Sequence, residues 1–401
     1  MTPSQTPCKA LTGIRVLDLS RILAGPTATQ LLGDFGADII KIERPGDGDD
    51  TRAWGPPFVT DTDGNPTSES AYYLCANRNK RSVAIDIATA EGAQMVRRLL
   101  RRCDVLVENF KVGGLQKYGL SYEDLREEFP HLVYCSITGF GQTGPNAHKP
   151  GYDLLAQGYG GIMSLTGPPA GEPTKVAVGI SDVMTGMYAA TAILAALRHK
   201  DRTGEGQQID IALVDCQIAW LVNEGTNYLL SGDTPKRRGN QHPNIVPYQV
   251  FEAEDGYLII AVGNDAQYRR FCDLLNAPEL ASNPMFATNT ARLANRELLL
   301  PKIAALVKAM PRDPLIAGME ALGIPCGPIH SLPQVFASDQ VAARGMKVRM
   351  AYAGAEGGAV DLIGNPVKMS KTPVSYDRPP PRCGADTDAV LAELLTIKEN
   401  T

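Results

Sequence analysis

The stretch IRVLDLS at residues 14–20 is the first of five apolar, β-branched runs near the start of the chain, and segments of helical composition separate them. The other four are ADIIKIERP (37–45), RSVAIDI (81–87), DVLVENF (104–110) and HLVYCSITGF (131–140). Strands of a parallel sheet have this nearly continuous apolar character because helices cover both faces of the sheet. The pattern therefore predicts an α/β fold for the first part of the chain.

A change of composition divides the rest of the sequence. Pro, Gly, Asn and Arg dominate residues 232–247, and VFEAEDGYLIIAV then begins a new region with a turn at Asp255 and Gly256. A chain of 401 residues is long enough for two domains. We expect a large domain over 1–227, a small domain over 228–325 and a C-terminal segment over 326–401.

The bulk composition excludes several classes of protein. A net charge of −5 argues against a nucleic-acid surface, which needs a dense face of Lys and Arg. The eight cysteines lie far apart, without histidines at zinc-ligand spacing, so we expect reduced thiols and no metal site. The amino terminus lacks a signal-peptide pattern, and no apolar run approaches the roughly 20 residues that span a bilayer. We therefore expect a cytoplasmic protein without nucleic-acid or membrane partners.

Two familiar catalytic patterns fit the sequence poorly. GFGQTG at 139–144 matches the dinucleotide motif G-x-G-x-x-G, but that motif requires a helix to begin within it, and Pro145 and Pro150 prevent one. We expect a glycine loop near a ligand instead. The five histidines accompany no G-x-S-x-G or comparable signature, which argues against a hydrolase triad.

Asp182 is the second residue of a segment, Ser181 to His199, whose composition predicts a buried helix. An aspartate in this position is commonly a helix N-cap. A helix N-terminus also keeps a carboxylate ionised, and an ionised carboxylate can attack an activated acyl carbon. The residues alone leave both interpretations open.

Basic residues follow the first two predicted strands and precede the third. They are Arg21, Arg44, Arg52, Arg78, Lys80 and Arg81. The ends of parallel strands line the crevice where α/β proteins bind ligands, so these residues suit a phosphate-bearing ligand. Each of these residues, taken alone, could equally well be an ordinary solvated charge on the surface.

Seven segments, taken together and in this order, resemble the CaiB/BaiF family, the class III CoA-transferases. They are RVLDLSRILAGP (15–26), GADIIKIERPGDGDDTRAWGPPF (36–58), NRNKRSVAID (77–86), VLVENF (105–110), GISDVMTGMYA (179–189), RRGNQHPNIVPYQ (237–249) and GIPCGPI (323–329). The resemblance runs essentially from end to end of the chain. As a set the segments are highly specific.

The resemblance implies a homodimer of two interlocked rings. Each chain would have a Rossmann-like large domain, to which the C-terminal segment returns, and a smaller α+β domain. The active site would lie between the large domain of one subunit and the small domain of the other. Asp182 matches the catalytic aspartate of the family, which carries CoA as an aspartyl thioester formed through mixed anhydrides. CoA and acyl-CoA would be substrates, and neither a metal nor a further cofactor is implied.

The resemblance also implies a set of ligand-binding residues. CoA would contact Leu23, Ala24, Arg44, Ile85, Ala88, Asn109, Lys117 and Lys149. Substrate contacts would come from Arg21, Arg52, Trp54, Tyr152, Gly239 and Gln241. One of the two arginines would hold the second carboxylate of a diacid, because a guanidinium binds a carboxylate through two parallel hydrogen bonds. The alternative is that each only pairs with an acid such as Asp49 or Asp50.

The choice of reaction within the family depends on two regions. Racemases of the family have a histidine thirty residues before the aspartate, where this chain has Tyr152. A phenol, with an unperturbed pKa of about 10 in model peptides, is a poor substitute for an imidazole. Formyl-CoA transferases have four glycines where this chain has residues 238–243, which disfavours oxalate as acceptor. The pattern is more similar to the succinyl-CoA:glutarate CoA-transferases and related dicarboxylate enzymes. We therefore expect transfer from succinyl-CoA or a similar donor to glutarate, itaconate, citramalate or hydroxymethylglutarate.

Two other functions stay open from the sequence. One is another reaction of the family, either that of an α-methylacyl-CoA racemase or that of an acyl-CoA transferase of the formyl-CoA or carnitine type. The other is a CoA-binding protein that has kept the fold without the chemistry, which would predict a lost nucleophile. Asp182 is present, together with Gly179, Ser181 and Gly186.

Overall fold

The computed structural model describes residues 9–395 and divides them into two compact units. The larger unit contains 9–163, 175–234 and 340–395, and the smaller contains 164–174 and 235–339. These limits differ from the expected ones because residues 228–231 continue a helix of the larger unit, and Cys326–Pro328 pairs as a strand of the smaller unit. Residues 164–174 join the smaller unit because Arg237 donates hydrogen bonds to the carbonyls of Pro168 and Gly171.

The strands of the described residues are β1 Arg15–Asp18, β2 Asp38–Glu43, β3 Phe58–Thr60, β4 Pro66–Ser70, β5 Lys80–Ala84, β6 Val105–Glu108, β7 Val133–Thr138, β8 Gln208–Ala212, β9 Tyr248–Ala253, β10 Gly256–Ala261, β11 Cys326–Pro328, β12 Lys347–Ala351 and β13 Ala359–Ile363.

The helices are α1 Ala24–Asp34, α2 Ala71–Leu74, α3 Ala90–Leu100, α4 Tyr122–Leu125, α5 Asp153–Tyr159, α6 Ile162–Leu165, α7 Ile180–Thr203, α8 Leu213–Ala219, α9 Val222–Ser231, α10 Asp265–Leu274, α11 Pro278–Ser282, α12 Asn289–Ala294, α13 Arg296–Lys308, α14 Arg312–Ala321, α15 Leu332–Ala337, α16 Asp339–Ala343 and α17 Thr387–Leu395. Short 3-10 turns occupy Asp50–Ala53, Gln116–Tyr118 and Glu356–Gly358.

A six-stranded parallel sheet with the order β5-β2-β1-β6-β7-β8 forms the centre of the larger unit. All five apolar runs of the sequence are strands of this sheet, which confirms the predicted α/β fold. Counted along the chain within the sheet, the order is 3-2-1-4-5-6, the doubly wound arrangement. The order reverses between β1 and β6, and such a reversal opens a crevice at the carboxyl ends of the strands.

Two apolar layers cover the sheet, because successive side chains of a strand point to opposite faces. Val16 and Val105 pack with α1 and α7 on one face. Leu17 and Leu106 pack with α3 and α17 on the other. The C-terminal helix α17 thus completes the larger unit, and its Glu393 forms ion pairs with two arginines of the sheet.

The smaller unit is built around an antiparallel sheet with the order β11-β10-β9. β9 and β10 form a hairpin at the predicted turn, where Gly256 has φ +152°. One face of the sheet packs on α10, α13 and α14 through an apolar core that includes Phe251, Leu258, Phe271 and Ile303.

Helix α7 is the predicted buried helix, slightly longer than expected, and it ends at Gly204 with φ +79°. By length and composition alone it could cross a membrane, so the expectation that no apolar run reaches that length was wrong. Core helices pass the same test, and α7 is one of them: its Ala189, Ile193 and Leu197 are buried against α1 and the sheet. The seven cysteines within 9–395 are all free thiols, as predicted.

Candidate active site

A cavity of about 440 Å³ opens at the point where the strand order reverses. The loops that follow β1 and β6 form two of its walls, through residues 21–24 and 109–114. Thr138 at the end of β7, Gly139 after it, residues 149–152 and Asp182 also line the cavity. This is the position in which doubly wound proteins bind their ligands.

A second cavity of about 260 Å³ lies at the ends of β1, β2 and β5. Arg44, Ile85 and Ala88 line it. It shares Arg21, Phe110 and Tyr118 with the first cavity. The two cavities are therefore continuous at this edge of the sheet, where an extended ligand could occupy both.

The structure brings most of the sequence-predicted site residues together. Asp182 lines the first cavity with Arg21, Leu23, Ala24, Asn109, Lys117, Lys149 and Tyr152. The three remaining CoA candidates line the second. The ligand contacts of these residues stay predictions, but their placement around one continuous crevice agrees with them.

Asp182 occupies the third position of α7, whose N-cap is Gly179. The interpretation of Asp182 as the N-cap was therefore wrong. Asp153 caps the helix from outside: its Oδ1 accepts hydrogen bonds from the backbone N–H of Ser181 at 2.8 Å and of Asp182 at 3.4 Å. Because Asp153 does the capping, the Asp182 carboxylate is left without a hydrogen bond to any residue of 9–395.

Burial, together with the negative charge of Asp153, raises the pKa of Asp182 to about 7. The side chain is only 8% exposed although it lines the cavity. The helix N-terminus was expected to keep this carboxylate ionised, but desolvation and the neighbouring acid oppose that effect. Near neutral pH the group titrates, and its anion is poorly solvated. Strongly perturbed pKa values of this kind are typical of catalytic groups.

A network of hydrogen bonds fixes the start of α7. Asp153 Oδ2 accepts from Gln157 Nε2 at 2.7 Å, and Gln157 Oε1 accepts from the backbone N–H of Val176 at 2.8 Å. Ser181 Oγ donates to Gln217 Oε1 on α8 at 2.7 Å. Sequence reasoning missed Asp153, although its place directly after Tyr152 at the start of a helix was a signal.

Arg21 and Asn109 hold each other at the mouth of the crevice. Asn109 Oδ1 accepts from the Arg21 backbone N–H at 2.9 Å, and Asn109 Nδ2 donates to the Arg21 carbonyl at 2.7 Å. The Arg21 guanidinium donates to Asp50 at 2.5 Å and is half exposed. Arg21 thus has an acid partner and also remains within reach of a ligand.

Arg52 requires a correction, because it lines neither cavity. Its guanidinium is buried and donates to both carboxylate oxygens of Glu43, to Glu69 at 2.6 Å and to the Tyr73 hydroxyl at 2.6 Å. These partners use its donors, so the structure assigns Arg52 to a buried ion network and not to the substrate. The acids that pair with it are Glu43 and Glu69, not the expected Asp49 or Asp50.

The basic residues around the start of β5 are also structural. Arg78 pairs with Asp34, Lys80 with Asp18 and Arg81 with Asp38, and all three basic side chains are buried. They therefore do not form a phosphate site.

The other predicted substrate residues lie outside the two cavities. Trp54 is 43% exposed and packs edge-on against Tyr72 at a centroid distance of 5.2 Å. Gly239 and Gln241 belong to the smaller unit, where Gln241 Oε1 accepts from Arg296 at 3.1 Å. Their contacts with substrate stay predictions. Within residues 9–395 no group of three His, Cys, Asp or Glu side chains is placed to hold a metal ion.

Residues 11–387 match the model of CoA-transferase family III. The chain belongs to this family. It is 50% identical over 396 residues to the succinate–glutarate CoA-transferase of Agrobacterium fabrum, an alignment that covers 99% of this chain and 98% of the relative. It is also 44% identical to the succinyl-CoA:glutarate CoA-transferase of Mus musculus, with 98% and 88% covered.

A solved structure of the family has the same fold. The crystal structure of a CaiB/BaiF family protein from Brucella suis superposes with a TM-score of 0.85 at 48% identity, covering 96% of this chain and 99% of that one. The resemblance recognised in the sequence is therefore confirmed, and the protein is a CoA-transferase of class III.

Proposed function

We propose that this protein transfers CoA from succinyl-CoA to a short dicarboxylic acid, such as glutarate, itaconate or citramalate, and that Asp182 carries the CoA as a thioester. The observation that supports the mechanism is the state of Asp182. Its carboxylate is buried, accepts no hydrogen bond from residues 9–395 and lies in the crevice with the residues expected to bind CoA. A carboxylate that has lost its solvent shell is a stronger nucleophile toward an acyl carbon.

The reaction balances without a metal or an oxidant. The Asp182 carboxylate adds to the thioester carbonyl of succinyl-CoA and expels CoA thiolate, which leaves a mixed anhydride. The thiolate then attacks the aspartyl carbonyl and releases succinate, which forms the aspartyl-CoA thioester. The acceptor carboxylate repeats the two steps in reverse and regenerates Asp182. An activated acyl group is retained in every intermediate, so one difficult transfer is divided into easier steps.

The named relatives support a dicarboxylate acceptor, since the proteins from Agrobacterium fabrum and Mus musculus are named for succinate or succinyl-CoA with glutarate. A diacid in a closed site needs a cation for its second carboxylate, because a buried unpaired carboxylate costs several kcal/mol. Arg21 is the remaining candidate of the two arginines, because the Arg52 guanidinium forms ion pairs with Glu43 and Glu69.

We further propose that the enzyme works in the cytoplasm as a homodimer of interlocked rings. The larger unit exposes apolar side chains to solvent, which is unfavourable and indicates that a partner covers them. They lie on α7, α8 and α9, and the most exposed are Leu229 at 81% and Leu230 at 83%, together with Met187, Tyr188, Ile218, Trp220 and Tyr228. A second copy of the chain would cover them.

The acceptor is tested with a panel of acids. Purified enzyme and succinyl-CoA are mixed with glutarate, itaconate, citramalate, hydroxymethylglutarate or oxalate, and with pentanoate as the monoacid of the same length as glutarate. New thioesters are measured by mass spectrometry. We expect kcat/KM for the best diacid to exceed that for pentanoate at least 30-fold. Equal use of pentanoate would reject the diacid assignment, and transfer to no acid would reject the donor assignment.

A further inference from the structure

The loop between β1 and α1 has an unusual backbone conformation. Ile22 has φ +73°, in the left-handed region. A β-branched residue is rarely found there, because its side chain crowds the following carbonyl. Such a conformation persists only where the surrounding structure imposes it, and it is most often found at functional sites.

Side chains bind both backbone polar groups of Ser20, both of Arg21 and the N–H of Ile22. The N–H of Ser20 donates to Asp18 at 2.9 Å, and Lys41 Nζ donates to the Ser20 carbonyl at 2.8 Å. Asn109 binds both backbone groups of Arg21. The N–H of Ile22 itself donates to Asp49 Oδ1 at 3.3 Å. The left-handed residue is therefore fixed from both sides.

Lys41 and Asp49 form one completely buried ion pair, with Lys41 Nζ 2.9 Å from Asp49 Oδ2. Asp49 also accepts from the N–H and the hydroxyl of Thr51. Although burial opposes ionisation, the Lys41 ammonium and these hydrogen bonds hold the pKa of Asp49 at about 2. Well-packed apolar residues of similar volume often stabilise a fold as well as such a pair does. The loop contacts give this pair a role that apolar residues could not supply.

The imposed bend decides what reaches the crevice. After Ile22 the chain enters α1 through Leu23 and Ala24, which line the same cavity as Asp182. No acceptor among residues 9–395 takes the backbone N–H of Leu23 or Ala24, and no side chain caps α1. α1 also meets α7 closely: a Cβ added at Gly186 would lie 2.6 Å from the Ala24 carbonyl. The free N–H groups and Asp182 are therefore brought together by the path of this loop.

We propose that Lys41 and Asp49 are positioning residues for CoA transfer: their ion pair holds Ser20 and Ile22 so that Leu23 and Ala24 present their backbone to the substrate beside Asp182. Neither side chain needs to contact a reacting atom. The inference rests on the CoA-transferase activity, so transfer by the wild-type enzyme is measured first and serves as the reference.

The test replaces the pair by apolar residues in Lys41→Met/Asp49→Leu, which leaves no unpaired buried charge. The matched control is Arg78→Met/Asp34→Leu, which removes another buried ion pair. Lys41 and Asp49 line the second cavity, whereas Arg78 and Asp34 line neither. For each variant the melting temperature is recorded, and kcat and KM are measured per folded protein. We expect at least a 100-fold loss of kcat/KM in the first variant and less than a fivefold loss in the control.

A rescue experiment separates positioning from a merely structural role. Glycine adopts positive φ without strain, so Ile22→Gly should allow the loop to keep its bend when the Lys41–Asp49 ion pair is absent. Added to Lys41→Met/Asp49→Leu, it should recover kcat/KM at least tenfold, whereas in the wild-type background it should bring no gain. If the paired variant fails to fold, Asp49→Asn takes its place in the same cycle. Activity within fivefold of wild type, an equal loss in the control, or no recovery with glycine would overturn the proposal.

Discussion

Replacing Asp182 by asparagine should abolish transfer and yet stabilise the folded protein at alkaline pH. In the fold, burial and Asp153 raise the pKa of Asp182 from an ordinary value of 3.8 to about 7. The unfolded chain therefore releases this proton at lower pH than the folded protein does. Between about pH 4 and 7 the folded state binds more protons, so the carboxylate lowers stability progressively as the pH rises.

The size of the effect follows from the shift. About three pKa units at roughly 1.4 kcal/mol each give an upper limit of about 4 kcal/mol. The N-terminus of α7 favours the anion by about 0.3–1 kcal/mol and reduces this figure. We therefore expect Asp182→Asn to be about 2–4 kcal/mol more stable than wild type at pH 8. The difference should shrink to less than about 1 kcal/mol near pH 4 and vanish below about pH 3, where the wild-type carboxyl is protonated in both states.

The assay is urea unfolding followed by circular dichroism at pH 4.5, 6 and 8, with transfer activity measured on the same preparations. Asp201→Asn is the control, since Asp201 is exposed in the last turn of the same helix. The difference in free energy of unfolding between Asp201→Asn and wild type should stay nearly constant from pH 4.5 to 8, because Asp201→Asn retains Asp182. If Asp182→Asn gained no stability between pH 4.5 and 8, the desolvated carboxylate inferred from the structure would not exist.

Three further predictions concern specificity, reaction type and assembly. Arg21→Met should reduce kcat/KM for glutarate more than for pentanoate, by about 1–2 kcal/mol because the guanidinium is half exposed, and equal losses for both acids in steady-state kinetics would remove its substrate role. Arg52→Met should affect both acids equally. In urea unfolding it should cost about 3–5 kcal/mol of stability, because it leaves Glu43 and Glu69 unpaired. With a 2-methylacyl-CoA in heavy water, the enzyme should incorporate no deuterium at the α-carbon, because the phenol of Tyr152 is a poor proton carrier near neutral pH; rapid exchange in the mass spectrum would show racemase chemistry. Leu229→Glu/Leu230→Glu should shift the protein toward monomers in analytical ultracentrifugation, since α9 exposes both leucines; an unchanged mass would place the interface elsewhere.

The sequence predicts the sheet well because burial on both faces leaves a local mark. Each strand from β1 to β7 of the central sheet is an apolar run that can be recognised without its neighbours. The crevice follows from the same information, since its walls are the loops after these strands. The local pattern at Asp182 predicted only the start of α7, and the resemblance to the family was needed to expect this residue in the active site.

Interactions between distant segments could not be predicted in this way. Arg52 was expected in the substrate site because its sequence gives no sign that Glu43 and Glu69 enclose it. Asp153 caps a helix that begins well after it in the chain, so its effect on the pKa of Asp182 appears only in the fold. Residues 164–174 join the smaller unit through hydrogen bonds with Arg237, and no change in their composition indicates this contact.

Trapping the covalent intermediate shows whether Asp182 carries CoA during transfer. Wild-type protein is incubated with succinyl-CoA and no acceptor, treated with hydroxylamine or borohydride, digested and examined by mass spectrometry. We predict that the peptide containing Asp182 gains a hydroxamate or is reduced to an alcohol at that residue, and that neither change occurs without succinyl-CoA. Modification at a different carboxylate, or none in an enzyme that transfers CoA, would contradict the account.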